Sequence, residues 1–393
     1  RVLFRSVDAL ARAAGVVVDP LADAETVVPG GTVGVWVRTF VPADVPVKVV
    51  SEKLTTPAGW TAGAAAAPTQ PAGGGGGGAR REVPTRDVRY QVTVARDAQP
   101  TQPYYLTAVR RGDSYDWPAG APVNQPFAPP LMTATVSLMI GDASVEITRP
   151  VEYRFADRVR GELRREVNVV PAVAVGLDSK LLIVPVGTTP NQQRVNVQVL
   201  SFSPESVSGR LRLRLPAGWT SMPADAPFTL KNAGDKTSTS FTVTAPARRT
   251  AGTFEVAAEA VIGTTTYAQD VQEIAYPHIQ THRLYWPATS TAQVIDLKVV
   301  PVRVGYIMGS GDQVPDAMRR MGFDVTLLDD ATLSVGDLSK FDTIVVGIRA
   351  SEARDAFVAN KTRLQQYMVA GGTLIVQYQQ QEYFNSGMRS EEH

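Results

Sequence analysis

The sequence predicts a multidomain β plus α/β protein: two immunoglobulin-like antiparallel β-sandwiches followed by a truncated flavodoxin-like parallel α/β sheet. Three observations predict it. Short runs of period two, punctuated by Gly and Pro, recur in units of about 100 residues. One turn, TPAGWT at Thr56 to Thr61, returns as LPAGWT at Leu215 to Thr220. From about Val302 the pattern changes to apolar strands separated by helical stretches, as in a parallel sheet.

In the second copy of the repeat, RLRLRLPAGW places Leu211, Leu213 and Leu215 on one face and Arg210, Arg212 and Arg214 on the other, a half-buried strand. Pro-Ala-Gly then turns the chain and returns Trp219 to the core as an apolar anchor. Each copy continues with a similar strand, YQVTVA (Tyr90 to Ala95) or SFTVTA (Ser240 to Ala245). Each ends in a hairpin with Gly at the turn, SLMIGDASVEI (Ser137 to Ile147) or AEAVIGTTTYA (Ala258 to Ala268). Two segments lengthen the first copy: a Gly-rich insertion at 62–81 and an aromatic insertion at 110–130. The run Gly73 to Gly78 lacks the Lys-Ser or Lys-Thr of a phosphate loop and no helix pattern follows, so Ala62 to Arg80 reads as a mobile surface insertion.

The α/β part starts with VRVGYIMG (Val302 to Gly309) as a strand. GDQVPDAMRRMG (Gly311 to Gly322) reads as a helix with Val314, Met318 and Met321 on one face and Gly322 as its stop. Asp324 to Asp329 and Phe341 to Ala350 supply two more strands, the second apolar on both faces as a strand covered by helices should be. A helix from Arg354 to Ala370 leads through Gly371-Gly372 into a fourth strand, Thr373 to Gln379. The expected division is therefore 16–163 for the first sandwich, 164–276 for the second, 277–300 as linker and 301–388 for an incomplete α/β domain.

The ends carry a separate signal. RVLFRS (Arg1 to Ser6) and RSEEH (Arg389 to His393) can be encoded by one oligonucleotide read in opposite orientations, and that oligonucleotide looks like a sequencing adapter. Residues 1–6 and 389–393 are accordingly read as non-native and excluded from the fold. Residues 7–15 read as the end of a helix from a preceding domain.

Composition narrows the function. With 44% hydrophobic and 20% charged residues the chain is globular, and its length suits two or three domains. A formal net charge of +1 supplies no electrostatic pull toward nucleic acid or anionic lipid, so neither is expected as a partner. No apolar run reaches membrane-spanning length. Zero cysteines remove disulfides, thiol nucleophiles and thiolate ligands. Of three histidines only His278 and His282 lie outside the adapter-like tail, in YPHIQTHRLYW. Pro277 and the alternating residues there suggest extended chain rather than a metal-binding helix, so no metal ligand is assigned.

The strand, PAGW turn and FTVTAP-like strand of the second copy, Leu215 to Pro246, resemble the small β-sandwich module found beside α-galactosidases and other glycan-processing enzymes. RPVEYRFADRVRGELRREVNVVPAVAV (Arg149 to Val175), with VGYIMGSGDQVPDAMRRMGFDVTLLDD and FDTIVVGIRASEAR, resembles the C-terminal half of large bacterial proteins of the PIG-L/LmbE deacetylase family. The final unit is similar to the class I glutamine amidotransferase-like fold. The resemblance implies an accessory region of a secreted or periplasmic zinc-dependent N-acetylglucosaminyl deacetylase, with the zinc and the Ala-His-Pro-Asp-Asp motif in a missing N-terminal catalytic domain. That domain and a glycan are the implied partners. No such motif is present in this chain, and no cysteine follows the fourth strand, so no catalytic residue and no cofactor are assigned to it.

Two candidate sites remain, each with a plain alternative. In an open α/β sheet ligands bind beyond the carboxyl ends of strands. That places Gly309, Ser310, Gly311 and Asp312 opposite Arg349 and Glu352, as a ligand crevice or as a capped turn with a local ion pair. A dinucleotide is not expected, because Val314 stands at the third glycine of G-x-G-x-x-G. The cluster Tyr104, Tyr105, Tyr115, Trp117 and Phe127 can stack on sugar faces or anchor one domain on another. The function expected is a non-catalytic accessory fragment supporting the deacetylase. The alternatives are a carbohydrate-binding sandwich and an α/β domain with hydrolase or small-ligand activity of its own.

Overall fold

The computed structural model of the chain describes residues 2–65, 84–108, 111–122, 124–380 and 383, with side chains from residue 6 onward. The glycine run, most of the stretch expected to be mobile and the adapter-like tail lie outside the described residues. The fold is mostly β, in several sandwich-like sheets.

A helix, α1 (Val2–Ala13), begins within the stretch read as adapter-derived. Val2 to Ser6 holds neither Gly nor Pro, and a nucleated helix propagates through residues without a breaker. Ala11 near its C-terminal end, with Ala14 and Val16 just past it, is buried in the core of the first sandwich. The strands of that sandwich are β1 (Val17–Ala22), β2 (Thr26–Val27), β3 (Thr32–Phe40), β4 (Val47–Thr55), β5 (Thr61–Ala64), β6 (Arg86–Thr93), β7 (Thr133–Ile140), β8 (Ala143–Pro150), β9 (Glu152–Asp157), β10 (Gly161–Glu166) and β11 (Asn168–Val169). One sheet runs β10-β9-β1-β3-β6-β5, a second β4-β7-β8, and β11 pairs with β2. Alternation fixes which residues face inward: Val37 of β3 clusters with Ala134, Val136 and Leu138 of β7, and Val33 and Val35 with Val92 and Met132. Two expected boundaries move. Residues 61–64, placed at the edge of the Gly-rich insertion, pair with β6 as an edge strand, and β10 and β11 carry the first sandwich past residue 163. The charged run Arg158 to Glu166 forms the β9–β10 hairpin, with Arg164 on Asp19 at 2.7 Å.

The second sandwich contains β12 (Val173–Leu177), β13 (Leu181–Pro185), β14 (Asn191–Ser201), β15 (Val207–Arg214), β16 (Thr220–Met222), β17 (Asp225–Leu230), β18 (Lys236–Ala245), β19 (Gly252–Ile262), β20 (Thr265–Tyr267), β21 (Gln269–Ile274), β22 (His282–Pro287) and β23 (Thr289–Ile295). Sheets β12-β14-β18-β16 and β13-β23-β19-β15-β17 enclose one apolar core, with Leu211, Leu213 and Trp219 inside it. On the solvent face Arg210, Arg212 and Arg214 pair with Asp225, Glu259 and Glu255. The expected linker 277–300 is corrected here: β23 is an interior strand between β13 and β19, and β22 forms a two-stranded ribbon with β21. Ser290, Ala292 and Val294 are buried at every second position, and the prolines Pro277 and Pro287 fall outside β23, so they do not interrupt its pairing.

The last unit holds β24 (Arg303–Ile307), α2 (Val314–Met321), β25 (Asp324–Leu327), α3 (Asp330–Val335), β26 (Thr343–Val346), α4 (Ala350–Ala353), α5 (Asp355–Ala359), α6 (Lys361–Val369) and β27 (Thr373–Val376). All four strands are parallel in the order β25-β24-β26-β27. One expected helix, 354–370, is two: Asn360 donates its amide to the Ala356 carbonyl at 2.8 Å, competing with the helical ladder at the break. Gly322, in the left-handed conformation, ends α2. Among the described residues no helix is long and apolar enough to cross a membrane.

Candidate functional site

The aromatic insertion folds partly on itself. Tyr104 meets Tyr105 and Trp117 edge-on, with ring centroids 5.3 and 5.6 Å apart, and Tyr105 meets Tyr115 at 6.3 Å. The Tyr104 hydroxyl donates to the Gln125 carbonyl at 2.9 Å, and Arg111 forks onto Asp116, which fixes the loop from both ends. Phe127 stands apart from these four. It stacks on His282, the first residue of β22, with centroids 5.8 Å apart and planes 11° from parallel.

That stack joins the two sandwiches. The β21–β22 ribbon leaves the second sandwich and lies against the end of β10 and the segment before Tyr104. Arg165 donates to the Ile279 carbonyl, the Gln280 side-chain oxygen accepts from the Glu166 N–H at 3.2 Å, and the Tyr285 N–H donates to Gln102 at 3.3 Å. Beside the stack is a cavity of about 90 Å³, walled by Tyr104, Tyr105, Phe127 and a set of prolines, with Glu166, His282 and Arg283 as its charged or titratable members. A wider cavity of about 410 Å³ lies along Leu163 to Glu166 and Pro277 to His282 and shares Phe127, Glu166 and His282 with the first. Desolvation raises the Glu166 carboxyl above its ordinary range; His282 opposes the rise and Glu152 adds to it. Arg283 is buried, with Glu273 at 3.0 Å and Glu25 at 3.7 Å, and its Nε and Nη1 have no hydrogen-bond partner among the described residues.

The structure thus brings Tyr104, Tyr105 and Phe127 to one cavity, and leaves Tyr115 and Trp117 on the outer side of the ring cluster, each nearly half exposed. Sequence reasoning missed Glu166 and Arg283 and treated His282 as linker. The period of Arg283, Tyr285 and the residues between them was the available signal, since Thr281, Arg283 and Tyr285 are all buried.

The second candidate, at the carboxyl ends of β24 and β26, is brought together but filled by its own groups. The Gly347 N–H donates to Ile307 at 2.8 Å and the Ser310 N–H to Ile348 at 2.9 Å, so the two loops are hydrogen-bonded to each other where a crevice was expected. A Cβ on Gly309 would lie 1.9 Å from the Ile348 carbonyl oxygen, which is why only glycine fits that approach. Asp312 accepts from the Val314 N–H at 2.9 Å and from the Tyr306 hydroxyl at 2.9 Å. Burial, reinforced by that carboxylate, pushes the Tyr306 hydroxyl well above its usual range. Arg349 holds a left-handed backbone, φ 54°, and forks onto Glu352 at 2.6 and 3.1 Å, while Gly311 marks the open outer edge. Asp312 thus braces the turn before α2, and Arg349 pairs locally with Glu352. Among the described residues no group of three or more His, Asp or Glu side chains could hold a metal ion.

No curated protein sequence matches the chain. Among solved structures, the cupredoxin domain of amoB from Nitrosocaldus yellowstonii is 11% identical with TM-score 0.18, covering 30% of this chain and 82% of that one. Salmonella alpha-2-macroglobulin reacted with methylamine is 9% identical with TM-score 0.23, covering 73% of this chain and 17% of that one. A PapD-like domain of human CEP192 is 14% identical with TM-score 0.19, covering 32% of this chain and 87% of that one. Within the second sandwich, residues 189–263, which include the LPAGWT turn, match the family described as NPCBM-associated, NEW3 domain of alpha-galactosidase.

Proposed function

We propose that the chain is a non-catalytic accessory assembly of a glycan-processing protein and contacts carbohydrate through the cavity beside Phe127. The observation that carries this reading is the junction itself: three aromatic rings and a histidine converge on a cavity between two sandwiches, the kind of platform on which sugar C–H faces stack. The match of residues 189–263 to an α-galactosidase-associated module supports it. Titration calorimetry with chitin-type oligosaccharides tests it. Phe127→Ala should weaken binding by about tenfold or more, equivalent to roughly 1.4 kcal/mol. Trp117→Ala, which removes only a prop behind Tyr104, should weaken it less. Absence of binding to any oligosaccharide sinks the proposal.

Within this reading the partner enzyme is a PIG-L-type zinc-dependent N-deacetylase, secreted or periplasmic, and this chain positions it on its substrate. The order β25-β24-β26-β27 supports a flavodoxin-like, amidotransferase-like assignment for the last unit. The division that best fits the sheets is one sandwich to Val169, a second from Val173 to Ile295 and an α/β unit from Arg303. Reading the gene upstream of this segment tests the deacetylase assignment, which falls if no Asp/His zinc motif is encoded there.

A further inference from the structure

We propose that the groove on either side of the Phe127–His282 stack selects a sugar bearing a free ammonium group, an amino sugar, with Glu166 as its counter-ion. This rests on the glycan reading and narrows it to a ligand class.

Glu166 is the carboxylate that lines both cavities. The carboxylates around it are already paired: Asp19, Glu152 and Glu162 with Arg164, and Glu25 and Glu273 with Arg283. Glu166 has no ion pair among the described residues, and its backbone N–H, not its side chain, is what Gln280 engages. The nearby guanidinium of Arg165 is directed to the Ile279 carbonyl and lies 6.0 Å from the Phe155 ring.

A carboxylate with no ion pair of its own is stabilised by an incoming cation more than an already paired one would be. The aromatic walls act in the same direction. The face of Phe127 and the rings of Tyr104 and Tyr105 attract an ammonium through their quadrupoles and pack against sugar C–H groups. A neutral sugar gains only the second interaction, and an acidic sugar meets Glu166 as a like charge.

The test compares a glucosamine tetrasaccharide, its N-acetylated counterpart and tetralysine by calorimetry on the full chain at near-neutral pH. The glucosamine oligomer should bind at least about tenfold more tightly than the acetylated one. Glu166→Gln should bring that ratio near one, and the fold should survive it because the Glu166 side chain makes no hydrogen bond among the described residues. Added salt should narrow the ratio in the parent and leave it unchanged in the variant. Equal affinity for the two oligomers, a preference that survives Glu166→Gln, or tetralysine binding as tightly as glucosamine each overturns the amino-sugar inference while leaving the glycan reading in place. If neither oligosaccharide binds, the glycan reading falls, and this inference with it.

Discussion

Trp60 and Trp219 occupy the same place in two copies of one turn. Each backbone N–H donates to the proline three residues earlier, Pro57 at 3.2 Å and Pro216 at 3.1 Å, and each follows a glycine in the left-handed conformation, Gly59 at φ 79° and Gly218 at φ 80°. The two rings differ in what they bury. Trp219 is 9% exposed and packs into the main core near Phe254, whereas Trp60 packs against its core only in part. Trp219→Ala should therefore destabilise the second sandwich by about 3–5 kcal/mol, the range for removing a buried aromatic. Trp60→Ala should cost the first sandwich clearly less. Urea unfolding of each variant, followed by the fluorescence of the remaining tryptophans, checks the order, and equal losses would contradict it.

The close approach at Gly309 predicts a local failure. Alanine there must displace the Ile348 carbonyl, 1.9 Å from the new carbon, and with it the bond that Ser310 donates to the same oxygen. Gly311, two residues on, has open space around its Cβ direction and only a positive φ of 95° to penalise alanine, worth about 1–2 kcal/mol. Limited proteolysis should cut Gly309→Ala within the α/β unit while sparing both sandwiches, and Gly311→Ala should resist under the same conditions.

Acid should loosen the α/β unit at one identifiable contact. Two side-chain hydrogen bonds from Arg303, at 2.9 and 3.1 Å, and its backbone N–H at 2.8 Å hold the Asp342 carboxyl down to about 2. A depressed folded value means the contribution is present above the unfolded value near 3.8 and is lost as pH falls through about 2. Carboxyl-carbon NMR should report the low titration directly. Asp342→Asn should flatten the acid limb of the unit's unfolding curve within that window, and high salt should diminish the difference because the pair is exposed.

The parts legible in the sequence are those whose signal is local. Arg210 to Leu215 declares its strand and both its faces by alternation alone, and Leu211 and Leu213 are buried where Arg210, Arg212 and Arg214 reach acids on the neighbouring strands. The hairpin turns at Gly141 and Gly263 are likewise legible: both have φ near 57° with the next residue not left-handed, the two-residue turn that requires Gly at its first position. What was not legible depends on chain segments meeting from far apart. Phe127 and His282 are separated by more than a hundred residues, and nothing near either one indicates the other. The same holds for the α/β crevice, where each loop alone looks like an open turn and only their mutual hydrogen bonds close it. Residues 277–300 differ for another reason: Pro277 marked the segment as extended linker, while Ser290, Ala292 and Val294 are buried by alternation in β23.

Arg283 predicts an asymmetry between removing a buried charge and stranding it. Its guanidinium is 7% exposed and two of its nitrogens lack hydrogen-bond partners among the described residues; its charge is met by Glu273 and Glu25 and by the Phe202 ring, 6.0 Å away. Arg283→Met removes the desolvated cation and leaves two acids that retain access to water, 47% and 26% exposed at their side chains. That change should cost less than stranding the cation, because the two acids left behind keep their hydration whereas the buried guanidinium cannot. Replacing Glu25 and Glu273 together with Gln keeps the guanidinium buried without a counter-charge and should cost about 3–5 kcal/mol. Urea unfolding separates the two cases, and a larger loss for Arg283→Met than for the double variant would show that the guanidinium contributes packing rather than charge. The Arg283→Met protein also serves in the glycan titration, because Arg283 lines the smaller cavity together with Glu166.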